Sequence, residues 1–260
     1  MKSPGLKPFL NAVGHIVHHL NTIAIGVSAV ESGLAAKPAE MDISWNPSDL
    51  VASSRGARVF ALRATIVFLA EEFVSYLNIV LGAPVFSEIS IPNKRTKRLR
   101  AISEKLDLPV DELLAGPLLV IQWRNRIVHK RSRARLSKAE ERILKKRKEL
   151  LGAKYKNLDP LQLLQHFKNQ TPTLKDVSSL IAMTINCVKR IDASIPAPRN
   201  SQDVMQWLAH LKLAEQLDRV KRISAPQNDA ARGVENFLKT QCPELQSAYL
   251  EYCLEAPSSA

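Results

Sequence analysis

Glycine is scarce in this chain, with 9 in 260 residues, about half the usual frequency of roughly 7%, and that shortage disfavours turn-rich β folds. Cysteine is scarce as well. Cys187, Cys242 and Cys253 are an odd number without close paired spacing, which excludes a disulfide framework and a Cys-rich zinc site and makes a reducing cytoplasm the expected compartment. Aromatic residues make up 5%, too few for extended base stacking along a single strand. The longest apolar stretch, residues 16–36, is interrupted by His18, His19, Asn21 and Glu31, so neither a signal peptide nor a membrane span is expected. The chain also lacks a Gly-rich phosphate loop, a nucleophile elbow and an H-E-x-x-H run, which removes ATP-driven, α/β-hydrolase and zinc-protease chemistry.

What is present is helical periodicity almost throughout, without alternation of the strand type, so the expected class is all-α. A first helix is expected over residues 6–34. Ser48 or Asp49 then caps a second long helix reaching about Leu81. Its stripe of Val59, Leu62, Ile66, Leu69, Phe73, Leu77 and Val80 is widened by Phe60, Val67, Val74 and Leu81, which predicts burial on more than one side, in a bundle or a subunit interface. A short basic helix is expected near 94–106. A helical turn at 109–115 should be ended by Gly116, with Pro117 opening the next helix. Ser137 with Glu140 reads as a capping box, for a charged helix ending at Gly152. Asp159-Pro160 opens a short helix, and Thr173 with Asp176 caps another that ends before Pro196. Beyond the linker at 196–200 come three helices, at about 202–223, 229–240 and 244–254. The domain reading is a helical bundle over residues 1–195 with a basic insertion at about 131–158, and a C-terminal helical extension over 201–260.

The net charge is +12. It is carried by one block: residues 93–156 hold 20 Lys and Arg against 7 Asp and Glu. Such a block is the electrostatic footprint of a polyanion partner, because each neutralised phosphate releases condensed counterions. Within it, WRNRIVHKR (residues 123–131) sets Arg124, Asn125 and His129 at the polar end of an apolar helix. An imidazole exchanges a proton near neutral pH, and a guanidinium grips phosphoryl oxygens. Those are the two roles that metal-free cleavage of RNA needs. Arg124 and His129 lie five residues apart, about 140° around a helix, so the Arg must reach across. One His serves only one end of an in-line displacement, so a two-fold dimer is expected to supply the second group.

The R-N-x-x-x-H run, preceded by two long helices and followed by an amphipathic one, resembles the HEPN superfamily (higher eukaryotes and prokaryotes nucleotide-binding) over residues 6–195. A bare R-x4-6-H arises about once by chance in this composition; a gap of four with Asn after the Arg lowers that to roughly 0.02. The resemblance implies an antiparallel HEPN-like bundle and a metal-independent endoribonuclease with a composite cleft in a homodimer. It would be cytoplasmic and without a cofactor, serving as a toxin or an antiviral, abortive-infection effector. Arg124 and His129 are then the catalytic pair, supported by Asn125 and by Glu71 or Glu72 of the second helix. Arg131 stands where part of the family carries a modifiable Tyr, so regulation by that route is not implied. RNA is the expected polyanion, held by Arg126, Lys130, Arg131, Arg133, Arg135, Lys145, Lys146, Arg147 and Lys148. An antitoxin or regulatory protein is a further implied partner, and no metal is. The alternative reading is an inert bundle that binds nucleic acid or protein. His15, His18 and His19 are taken as partly exposed helix histidines rather than metal ligands.

Overall fold

The computed structural model describes residues 2–42, 44–129, 131–224 and 230–254. Among them it is all-α, without a strand. The helices are α1 (Leu6–Glu31), α2 (Leu50–Val80), α3 (Arg95–Lys105), α4 (Glu112–Val128), α5 (Lys138–Lys146), α6 (Lys148–Lys154), α7 (Pro160–Asn169), α8 (Leu174–Ser194), α9 (Ser201–His210), α10 (Ala214–Ser224), α11 (Ala230–Gln241) and α12 (Pro243–Tyr249). Two compact units share the chain: Met1–Phe9, Val74–Leu108 and Val188–Ala260 form one, and Leu10–Phe73 with Pro109–Cys187 form the other. The division does not fall at the expected linker, although residues 195–200 are indeed a non-helical connector.

The unit built on Leu10–Phe73 and Pro109–Cys187 holds every residue of the R-N-x-x-x-H cluster. Local caps begin its helices as the side chains dictate: Asp49 Oδ1 accepts from the Ala52 N–H at 2.9 Å, and Asp159 Oδ1 from the Leu161 N–H at 2.8 Å. Ser137 and Glu140 close both arms of the capping box, and Thr173 with Asp176 does the same at the start of α8. The main stripe of α2 is buried from Leu62 to Val80, whereas Phe60 and Phe68 are 75% and 61% exposed. Burial on a second side is therefore incomplete within one chain.

Three expected boundaries are corrected. Gly116 and Pro117 do not separate two elements but lie inside α4. Proline costs one backbone hydrogen bond there, and Gly116 is required by a neighbour: a Cβ on it would come within 2.6 Å of Met183 Sδ on α8. The charged helix expected to run to Gly152 breaks at Arg147 into α5 and α6. The helix expected over 202–223 breaks after His210, where Lys212 takes the left-handed conformation with φ 60°. Asp229, the expected start of the following helix, lies outside the described residues. Against the membrane expectation, α1 is long and apolar enough by composition to cross a membrane, and only 11% of that apolar stretch is buried in the protein.

The other unit gathers the chain start, the segment around α3 and the C-terminal helices. The Ser3 N–H donates to Asp192 Oδ1 at 2.9 Å, and Tyr76 Oη donates to the Val188 carbonyl at 3.2 Å. Trp207, Leu217, Leu238, Leu245 and Tyr249 supply the core of the last four helices. Gly82 is occupied from outside: a Cβ on it would overlap the His210 ring, whose Nε2 lies 2.9 Å from the Asn78 carbonyl. Gly82→Ala is therefore expected to expel that ring and lower stability by about 1–3 kcal/mol. Thermal unfolding followed by circular dichroism checks this, and an unchanged midpoint would show that the ring yields at no cost.

Candidate active site at the end of α4

Helix α4 opens on Asp111, whose Oδ1 accepts from the Leu113 N–H at 3.0 Å. Its middle is almost wholly buried from Leu114 to Ile121. Trp123 is fully buried and meets Phe167 of α7 edge-on, with centroids 5.6 Å apart. That contact anchors the last turns and leaves the polar residues after it at the rim.

Arg124 Nε donates to Glu71 Oε1 of α2 at 2.7 Å, with the Arg side chain 15% exposed and the Glu 40%. Its Nη1 lies 3.4 Å from Asn125 Oδ1 and 3.4 Å from His129 Nε2. The structure thus brings together Arg124, Asn125, His129 and Glu71. The angular separation of Arg124 and His129 is overcome because His129 is no longer helical. It is the residue after the helix, with φ −113° and ψ 95° and its N–H still bonded to the Asn125 carbonyl, so the imidazole folds back toward the Arg. A guanidinium has only donors, so for this contact to be a hydrogen bond Nε2 must be the unprotonated nitrogen of a neutral ring. The Glu71 carboxylate fixes the guanidinium plane. A pair this exposed contributes at most about 1 kcal/mol to stability, so its weight lies in orientation.

The other expected residues divide. Glu72 is half-buried on α2 beside Glu71. Arg126 turns to α7: its Nη1 donates to the Phe167 carbonyl at 3.1 Å and its guanidinium lies 4.8 Å from the Phe167 ring centroid. It ties α4 to α7. Arg131, Arg133 and Arg135 are exposed along the non-helical segment after the motif, and Lys130 lies outside the described residues. In α5 and α6 the basic residues are engaged in turn. Lys145 pairs with Glu141 at 3.7 Å, Arg147 with Glu112 at 3.2 Å, and Lys148 with Asp159 at 3.5 Å, while Lys146 is exposed. Glu112 itself is 3% exposed, so Arg147, 46% exposed, compensates a buried carboxylate.

Sequence reasoning passed over a second imidazole. His166 Nδ1 lies 2.7 Å from Asp176 Oδ2, which also accepts from the Thr173 N–H and hydroxyl at 2.8 Å each. The pair borders a hollow of about 250 Å³ with Asp159, Gln162 and Lys175. The Thr173–Asp176 cap was legible, but nothing local linked it to a His ten residues earlier. Among the described residues no group of three or more His, Cys, Asp or Glu side chains could hold a metal ion. His15, His18 and His19 are exposed on α1, with the ring of His19 about 6 Å from each of the others.

The fold and the cluster define an all-α protein with an arginine, a carboxylate and an imidazole joined at one helix end. No family model matches the chain, and neither a curated protein nor a solved structure matches it.

Proposed function

We propose that this protein is a HEPN-like, metal-independent endoribonuclease that cuts RNA at the Arg124–His129 cluster. The observation that carries the reading is the Arg124 guanidinium held between Glu71 and His129 Nε2. In the proposed reaction the entering phosphate takes Arg124 Nη1 away from His129 Nε2, and the freed Nε2 lone pair takes the proton of a ribose 2′-OH while the 2′-oxygen attacks the adjacent phosphorus. Arg124 stabilises the negative charge that develops on the non-bridging oxygens. The P–O5′ bond breaks and the leaving oxygen takes a proton from water or from a group of a second copy, giving a 2′,3′-cyclic phosphate and a 5′-hydroxyl. Glu71 positions the guanidinium and Asn125 steadies it from the other side. Glu72, by its place on α2, completes the acidic border. The reading includes a homodimer whose second copy completes the cleft, a cytoplasmic setting, and a role as toxin or antiviral effector held in check by an antitoxin or regulatory protein.

Incubating the purified protein with total RNA in EDTA, beside His129→Ala, tests it. Cleavage is expected to survive the chelator and to fail on a substrate with hydrogen in place of the 2′-OH at the cut site. Activity that disappears with EDTA and returns with Mg²⁺ would overturn the chemistry. An inert bundle would draw on the same Glu71 carboxylate, which already neutralises Arg124, and is the reading left if the protein cuts under no condition.

The exposed cations make a separate prediction about RNA holding. Replacing Arg131, Arg133, Arg135 and Lys146 by Ala is expected to weaken binding regardless of sequence. It should flatten the dependence of log K on log salt by up to roughly 0.7 per lost single-strand phosphate contact. Filter binding across a salt series reads both, and an unchanged slope would place the RNA track elsewhere.

A further inference from the structure

A groove of about 390 Å³ lies between α1 and α2, within the range of about 300–1,000 Å³ in which small-molecule sites fall. Its walls are apolar, with Ile23 on α1, Phe60 and Phe68 on α2, and Ala64 between the two phenylalanines. No carboxylate, ammonium or guanidinium lines it, and α1 carries no acidic or basic residue between Lys7 and Glu31. The polar side chains that line it are His15, His19 and Thr65. The Thr65 hydroxyl already donates to the Ala61 carbonyl at 2.9 Å, which leaves the two imidazoles as the groups that can fix a ligand.

The two ends of the groove differ in chemistry. Arg58, near the start of α2, pairs with Glu31 at the end of α1 at 2.7 Å, so the two helices run antiparallel. His15 and His19 therefore stand toward the Phe68 end, and Ile23 toward Phe60. The two imidazoles share one face of α1 with ring centroids 6.3 Å apart, close enough to converge on one carboxylate. An imidazole donates an N–H to such a group whether the ring is neutral or charged. Both side chains are exposed, at a rim where a charged head keeps part of its water while an apolar chain behind it is buried. We infer that the groove binds a single-chain fatty carboxylate, its head on His15 and His19 and its alkyl chain running past Ala64 to Ile23 and Phe60.

The span of the groove sets the length of that chain. From His15 to Ile23 α1 rises about 12 Å. An extended alkyl chain, with C–C bonds of about 1.5 Å at roughly 111°, advances about 1.25 Å per carbon, so about ten carbons fill the groove. An apolar helix of another protein would cover the phenylalanines but would set the two imidazoles against further apolar surface, without acceptors for their N–H groups. A ligand that is acidic at one end and apolar along the rest answers both ends at once. The inference is independent of the nuclease reading, because it uses none of the residues at the end of α4.

Equilibrium dialysis of the full chain against labelled decanoate, below its micellar concentration, tests the site. Saturable uptake of one ligand per chain is expected. From hexanoate through octanoate to decanoate each added methylene should tighten binding about three- to fourfold, and the gain should level off beyond about ten to twelve carbons. His15→Ala/His19→Ala is expected to weaken decanoate binding about tenfold or more while leaving the weaker binding of decanol unchanged, and decyltrimethylammonium should not bind. Ala64→Phe, which fills the middle of the groove, should abolish uptake. The histidine variant keeps the test valid if Ala64→Phe fails to fold, since both imidazoles are exposed. No saturable uptake, an affinity that does not change with chain length, decanol or the ammonium binding as tightly as decanoate, or a double-Ala variant that binds like the wild type would each overturn the proposal. So would a dimer in sedimentation velocity that persists with decanoate and takes up none, which would give the groove to a second copy.

Discussion

His129→Ala and Arg124→Ala are each expected to reduce RNA cleavage to background while leaving a folded, helical protein. Loss of a positioned general base costs about 10²–10⁴ in rate. Loss of a charge-stabilising donor costs about 10²–10³. Neither change opens a core cavity, because His129 is exposed at the helix end and Arg124 gives up only a partly exposed ion pair. Arg124→Lys is expected to be nearly as damaging, since a single ammonium cannot hold Glu71 and a phosphoryl oxygen in a fixed fork. Glu71→Gln should do less, because the amide oxygen still accepts from Nε and only the charge is lost. Single-turnover cleavage with saturating enzyme separates these effects from binding. Full activity in both Ala variants would remove the cluster from the chemistry, and loss of the folded state would make it structural.

Arg147→Ala is expected to have the largest effect on stability among the basic residues. Glu112 is 3% exposed, with Arg147 Nη1 at 3.2 Å from one carboxylate oxygen and Lys154 Nζ at 4.0 Å from the other. The Arg147 contact lacks hydrogen-bond geometry, so the carboxylate depends on charge compensation, helped by its place in the first turn of α4. Removing one partner of a fully buried pair costs about 3–5 kcal/mol. Here Arg147 is 46% exposed and Lys154 remains, so about 1–3 kcal/mol is expected, a fall of a few degrees in Tm by the usual scaling of roughly 2–4 °C per kcal/mol. Adding Glu112→Gln should return most of it. By contrast Lys146→Ala should leave Tm unchanged. If Arg147→Ala melts as the wild type does while weakening RNA binding, the residue belongs to the RNA track after all.

The helix caps show how far local chemistry reaches. Asp49, Ser137, Asp159 and Thr173 each bond within three residues of themselves, so the information needed to place those helix starts is contained in a tetrapeptide. The same holds for the all-α class and for the R-N-x-x-x-H run, whose members sit within six residues. Where the reading failed, the deciding partner was far away in sequence. Gly116 looks like a helix stop until Met183, 67 residues on, is seen to need its space. Arg126 and Arg147 carry no local sign that Phe167 and Glu112 engage them. Phe60 belongs to the α2 stripe by spacing alone, yet it faces outward.

Composition, periodicity and short-range hydrogen bonding thus determined the class, most helix starts, the basic block and the identity of the Arg–His pair, because each depends on residues a few positions apart. Tertiary structure alone decided that Glu71, 53 residues from Arg124, holds its guanidinium. It also decided which cations are spent on buried or neighbouring groups, and that the Phe60–Phe68 face is left uncovered. Those outcomes depend on which helix faces meet, and a face is chosen by the burial of the whole apolar set together, which no single window of sequence contains.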